Sequence, residues 1–502
     1  MPLEPIFQDI QLSQKRNNLK EHVKVECKTD LPKDGVSKIL NVTARSVVTS
    51  SEVLDDRINY EGRATFFICY QTDDGEIAKI ECGSEFKGII KTQDQGECKA
   101  IVFSSVEKTE TDFSGGRLCV SGYVALDVHL TECKRVSALT GGNDLITDCC
   151  EMEILKGYGV RETVFPVSQD FEVNYKIEDV LSQRADTVIT SVQCGVGSII
   201  VDGEILVSAI LLQSREKKDI IRENKIMPFR AEIECEDAMP SMCATAFAKE
   251  KFFKTDISVD QERGKSLISA SVTLILSGEV YGAENLSIVA DAFSINENLI
   301  VEKDECAFIK PCDVRSESKE ICVTAVTDSL PVGTSLIDCI GERAEVLNVE
   351  CVADGLLVTG SLSVTIFFKD TDGKVFARKS ESPFETTISC ACDRDCEYTV
   401  KAFAVKSGIR LISDTQTEVR ATVYFTVYPF EKCNVQMVKA IKSVGEKPKP
   451  THALSVYIPS EGEELWSLAK RLNVRPDDLI NANKELQFPL SGKERIVVFR
   501  QL

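Results

Sequence analysis

The residues best spaced for chemistry stand in Cys390-Ala-Cys392-Asp-Arg-Asp-Cys396. Thiolates are soft ligands that suit zinc, but a closed structural site takes four ligands and this run offers three. No second close pair stands nearby, and Cys433 is the cysteine that folding would have to supply. Cys390, Cys392 and Cys396 are therefore weak metal candidates, and structural cysteines are the expectation. Glu262-Arg-Gly-Lys-Ser266 has the ending of a phosphate-binding loop, but the glycine required five positions before Gly264 is Val259. The segment also falls in a turn between two alternating stretches, where such a loop does not form. The three histidines, His22, His129 and His452, lie at no ligand or triad spacing. Carboxylates are many but scattered, and no pair stands out for acid and base work. Lys369-Asp-Thr-Asp-Gly-Lys374 is too short for a calcium loop and reads as a hairpin turn. No catalytic and no cofactor-binding residue is assigned, no cofactor is implied, and the expectation is a protein that is not an enzyme.

A chain of 502 residues exceeds what one core supports, so three or four domains are expected. A hydrophobic share of 43% and a charged share of 27% suit a soluble globular protein. A net charge of −20 and a pI near 4.9 argue against nucleic acid, whose phosphates would be repelled. The start, Met1 to Asn18, has no apolar run behind a basic segment and does not read as a signal peptide. No stretch of about 18 apolar residues occurs, so no membrane-spanning segment is expected. A cytoplasmic protein follows from this reading. Its twenty cysteines are then expected to stay reduced. Several, such as Cys69 and Cys119, sit in apolar stretches as small hydrophobes. Oxidative cross-linking within an assembly is the alternative role.

What must position these residues is a chain that repeats itself. Segments starting at Ile58, Ile199 and Leu356 align on Gly62, Gly203 and Gly360. Asp-Gly turns follow the first and third glycines at one offset, ending in Gly75 and Gly373. Asp-Gly between alternating apolar runs signals a hairpin. The second repeat has Arg215-Glu-Lys-Lys218 there, so its loop must differ. Pro228–Cys235 matches Pro383–Cys390, and each repeat closes in a second long hairpin. An apolar stretch about 20 residues before each glycine (38–42, 177–183 and 335–343) is expected to carry one short helix. Strands rich in Val, Ile, Thr and Phe predict a mainly β fold: three tandem antiparallel β-sandwich or partly closed barrel repeats. They are placed at 20–150, 160–305 and 317–441, after an N-terminal lead segment, 1–19. A Lys/Pro linker, 442–452, follows them.

Residues 453–502 differ in texture. Ala453 to Ile458 alternates as a strand. Leu465, Leu468, Ala469 and Leu472 form one helix face. A second helix opens at Pro476 with Asp477 and Asp478 in its first turn. Arg495–Phe499 closes as a strand. Strand, helix, helix, strand, with Gly462, Leu465-Trp466, Leu468-Ala469, Val474, Leu479, Asn481, Asn483, Pro489 and Gly492, resembles the LysM domain. That resemblance implies a small α+β fold binding N-acetylglucosamine-containing glycan in a groove between two loops. The groove residues it implies, for glycan or partner, are Gly462, Glu463, Glu464, Leu465, Asn483, Leu486 and Pro489. Both loops depart from the sugar-binding pattern, with Glu463-Glu464 in the first and Leu490-Ser491 inserted before Gly492 in the second. It also implies that Trp466, the one tryptophan, packs within the module, with direct ligand contact as the alternative. Taken together, tandem β repeats and a C-terminal LysM module resemble the SpoVID/SipL group of spore-coat morphogenetic proteins, whose repeats are SPOCS domains. That resemblance implies a mother-cell adaptor at the forespore surface. Its partners would be the SpoIVA-like basement-layer ATPase and other coat proteins. A peptidoglycan or precursor-glycan binder is the alternative.

Overall fold

The computed structural model describes residues 4–15, 19–33, 35–54, 56–92, 97–114, 116–214, 219–390, 396–449 and 451–500. The strands run β1 (Glu4–Lys15), β2 (Leu19–Asp30), β3 (Lys38–Leu54), β4 (Arg57–Gln71), β5 (Ile77–Lys91), β6 (Glu97–Ser114) and β7 (Arg117–Asn143). Then come β8 (Ile146–Val173), β9 (Asp179–Cys194), β10 (Ser198–Ser214), β11 (Asp219–Glu234), β12 (Cys243–Asp260) and β13 (Lys265–Phe293). A third set follows: β14 (Glu297–Pro311), β15 (Arg315–Val326), β16 (Ser335–Val352), β17 (Gly355–Lys369), β18 (Val375–Ile388), β19 (Cys396–Leu411) and β20 (Gln416–Glu446). The end is β21 (Leu454–Tyr457), α1 (Leu465–Leu472), α2 (Pro476–Ala482) and β22 (Ile496–Phe499). The protein is mainly β, and its sheets are antiparallel throughout.

Three units share one strand order. Each has a three-stranded sheet (β3-β4-β5, β9-β10-β11, β16-β17-β18) centred on the strand that carries the aligned glycine. Each faces a second sheet in which β7, β13 or β20 is flanked by two partners. Alternating inward residues of the two sheets make the core, as in the first unit, where Phe66, Ile68, Leu118, Val120 and Leu126 pack together. Among the described residues, hydrogen-bonded ladders run within each sheet and not across the two seams between sheets. The segments expected to hold short helices are instead the starts of strands β3, β9 and β16. They pair with β4, β10 and β17 through ladders broken by bulges, and the irregular spacing of apolar residues at those bulges imitates a helical period.

The glycines serve close packing. Gly62, Gly203 and Gly360 pair with Phe86, Phe229 and Phe384 on the next strand, and each ring lies over its glycine. A Cβ at Gly203 would stand 2.6 Å from that ring and 2.6 Å from the Val188 carbonyl oxygen. The Phe of the aligned Pro-Phe pairs thus explains why its partner must be glycine.

The units close into a ring. Arg45 of the first donates to Glu250 Oε1 (2.8 Å) and the Phe253 carbonyl (3.2 Å) of the second. Arg222 of the second lies 2.6 Å from Glu342 Oε1 and 3.5 Å from Asp338 Oδ2 of the third, all three buried. Asn224 donates to the Lys406 carbonyl across that junction, at 3.1 Å. Arg343 of the third donates back to the Val106 carbonyl of the first, at 2.6 Å. Residues seven positions after each aligned glycine, Cys69, Ile210 and Phe367, meet in one apolar cluster where the units join.

The long strands also leave their sandwiches. The second halves of β7, β13 and β20 pair with β1, the first half of β8, and β14, giving three two-stranded ribbons. The ribbons pack on one another through Leu12, Val136, Ile154, Ile288, Phe308, Val435 and Met437, with Leu139, Val289, Ala292 and Val438 further along. The result is a trunk to which each unit contributes one ribbon.

Candidate functional site

The C-terminal module forms its own small core from Leu468, Ala469, Leu472, Val474, Leu479, Leu490, Ile496 and Val498. The helix face read from the sequence is the one that faces this core. Trp466 is not on it. One step along the helix turns its side chain away by about 100°, towards the trunk. Its Nε1 donates to Asp291 Oδ2 at 2.8 Å, and its ring meets Phe293 edge-on with centroids 5.2 Å apart. The expectation that Trp466 packs within the module is corrected: it seats the module on the ribbon of the second unit.

The residues around it complete the seat. Lys470 Nζ donates to both Asp291 oxygens, at 2.8 and 2.7 Å. Asn473 Nδ2 donates to the Ile295 carbonyl (2.9 Å), and its Oδ1 accepts from Lys447 Nζ (2.6 Å). Trp466, Lys470 and Asn473 stand at i, i+4 and i+7, so α1 has a second working stripe beside its core stripe. Burial alone would push Asp291 up, but the hydrogen bonds from Lys470 and Trp466 outweigh it and hold this carboxyl below its ordinary value. Sequence spacing carried one signal of this stripe, a tryptophan one position off an otherwise complete apolar face. Nothing in the sequence pointed to Asp291, 175 residues away.

The expected groove residues divide by what they do. Gly462 donates its N–H to the Leu490 carbonyl (2.8 Å), and Leu490 donates to the Glu463 carbonyl (3.0 Å). The two loops around Glu463 and Pro489 therefore lie side by side. Glu463 is held by Arg471 through two contacts of 2.8 Å and accepts the Ser460 N–H at 3.0 Å. The Arg471 hydrogen bonds, ahead of any other cause, keep its carboxyl below the ordinary range. Asn483 is spent inside the module: its amide donates to the Leu479 and Val497 carbonyls, and its Oδ1 accepts the Val497 N–H. Leu465 and Leu486 pack against the module core. Glu464 and Pro489 are exposed. Glu464 and Leu465 also line an open cleft of about 480 Å³ with Trp466, Pro476 and Asp477 on one wall and Ile146, Thr147 and Asp148 of the trunk on the other.

The thiol run does not assemble as a site. Cys390 is buried at the end of β18 in the core of the third unit. Cys396 opens β19, opposite Glu431. Cys392 lies outside the described residues. Among the described residues, no three histidine, cysteine or acidic side chains gather as a metal site. Asp260 to Lys265 is the turn between β12 and β13: Asp260 Oδ1 accepts the Glu262 and Arg263 N–H groups, and Gly264 takes φ +67°. In Lys369 to Lys374, Asp370 Oδ1 accepts the Asp372 and Lys374 N–H groups in a hairpin turn. No helix among the described residues is long and apolar enough to cross a membrane.

Residues 35–114 match the family model described as SipL, SPOCS domain. The matched segment spans β3 to β6, the glycine-bearing sheet of the first unit and one strand of the sheet facing it. It gives the protein a sporulation-related theme. No curated protein and no solved structure matches the chain.

Proposed function

We propose that this protein is a non-enzymatic structural adaptor of spore coat assembly, working in the mother cell at the forespore surface. The SPOCS match at 35–114 carries the reading. Two further units with the same strand order support it, read as further SPOCS-type copies. A ring of similar units offers several similar outward faces, which suits a scaffold that gains avidity by multiple contacts. The partners in this reading are a SpoIVA-like basement-layer ATPase and other coat proteins. They are met by the repeats and by the C-terminal module, read as a LysM-like domain. A glycan-binding role for that module is the competing reading. Protein docking is favoured because Asn483 and Glu463 are already engaged within the module, while Gly462, Glu464 and Pro489 remain exposed in its loops.

A fluorescent fusion in sporulating cells tests the proposal. A ring of signal around the forespore is expected, and signal that stays diffuse throughout sporulation overturns it. Pulldown on purified peptidoglycan separates the two roles of the module. Retention that is lost on substituting Glu464 and Pro489 together would replace protein docking by glycan binding.

A further inference from the structure

We propose that Cys27 and Cys82 form an oxidisable pair that closes into an intrachain disulfide across the seam between β2 and β5. The two strands belong to different sheets of the first unit, and no ladder joins them among the described residues. Both side chains point inward, on the same faces as Val25 and Phe86, and both pack against the core of that unit. Cys27 Sγ donates to the carbonyl oxygen of Gly83, the residue next to Cys82, at 3.5 Å. Cys27 Sγ thus sits beside the backbone that carries Cys82, and the disulfide forms when the two facing side chains turn towards each other across the seam. Cys27 and Cys82 are half-buried, so a small oxidant reaches them, whereas Cys69 is sealed in the junction between units.

With hydrogen peroxide as oxidant, the thiolate of the first sulfur that the peroxide reaches takes one oxygen, giving a sulfenic acid and releasing hydroxide. The other thiol then displaces the hydroxyl group, which leaves as water, and the S–S bond forms. Two thiols and one peroxide become one disulfide and two waters. The bond closes a loop of about 55 residues that contains β3 and β4, and it staples a seam otherwise held by side-chain packing.

The test uses the full chain, folded, under mild hydrogen peroxide, followed by alkylation and tryptic mapping without reductant. The expected product joins Val25–Lys28 to Ile80–Lys87 and is lighter by two hydrogens than the separate peptides. Recovery of Cys27 and Cys82 as alkylated thiols, while the exposed Cys149 and Cys150 are oxidised, overturns the proposal. The oxidised chain should also resist unfolding, with the equilibrium constant for opening the first unit reduced on the order of a thousandfold. Cys82→Ser removes that oxidant-dependent change. A change that persists in both Cys27→Ser and Cys82→Ser assigns it elsewhere and refutes the pair. If either variant fails to fold, the mapping of the unaltered chain still decides.

Discussion

Replacing Asp291 by alanine should release the C-terminal module from the trunk. The Asp291 side chain is only 12% exposed and gathers the Trp466 N–H, the Lys470 ammonium and, at 3.4 Å, Lys303. A hydrogen bond to a charged group contributes about 1.5–3 kcal/mol. The Lys470 contact is discounted to about 1 kcal/mol or less, because that side chain is 40% exposed and solvent screens it. The loss is then about 2–4 kcal/mol, a shift of roughly 30- to 1000-fold in the ratio of docked to released module. Trp466 is the chain's one tryptophan, so its fluorescence reads the seat directly. Release moves the indole from Phe293 into water, with red-shifted emission and stronger acrylamide quenching. Phe293→Ala should shift the same signals by less, since the edge-on ring contact contributes about 0.5–1.5 kcal/mol. The folded-state carboxyl lies below its ordinary value, so its contribution is present above pH ~4 and fades as pH falls through the depressed value. The signal should therefore hold at neutral pH and change only in acid. Emission and quenching of Asp291→Ala identical to the parent would refute the seating of the module by this carboxylate.

Three further outcomes follow from the ring and its units. Gly203→Ala should destabilise the second unit by about 1–3 kcal/mol, because its Cβ meets the Phe229 ring and the Val188 carbonyl; a lowered urea midpoint with an unchanged slope checks this. Arg222→Ala leaves Glu342 without its cation in a buried junction, while Asp338 keeps Lys406, and should cost about 3–5 kcal/mol, read as early separation of the third unit in limited proteolysis. Burial, opposed by Arg45 and reinforced by Asp186, pushes the Glu250 carboxyl up to about 7. The folded state therefore holds a proton that the unfolded chain has lost. Stability should fall by about 3 kcal/mol as pH rises from about 4.5 to about 7, and Glu250→Gln should flatten that slope in denaturation curves taken across the range.

Much of the architecture was legible in the chain because it is encoded locally. Alternating apolar residues and Asp-Gly turns specify strands and hairpins from neighbours a few positions apart, and the core stripe of α1 is a matter of 3.6-residue spacing. The aligned glycines could be found by repetition. The reason for them, a phenylalanine ring from the next strand over each, required the strand register. The helices expected before those glycines failed for a local reason as well, since bulged strands break period two and imitate a helical stripe.

What the sequence determined alone was the strand content, the three-fold repetition of the glycine-bearing segments and a chemically different end. Tertiary structure alone decided that the three units close into a ring, that their long strands share a trunk, and that Trp466 belongs to the seat of the last module. It also decided which cysteines meet: Cys390 and Cys396 stand six positions apart yet lie in different surroundings, while Cys27 and Cys82, far apart in the chain, share a seam. The physical reason is the same in each case. These contacts join residues tens to hundreds of positions apart, and only the packing of whole sheets fixes which of the many possible pairs are neighbours.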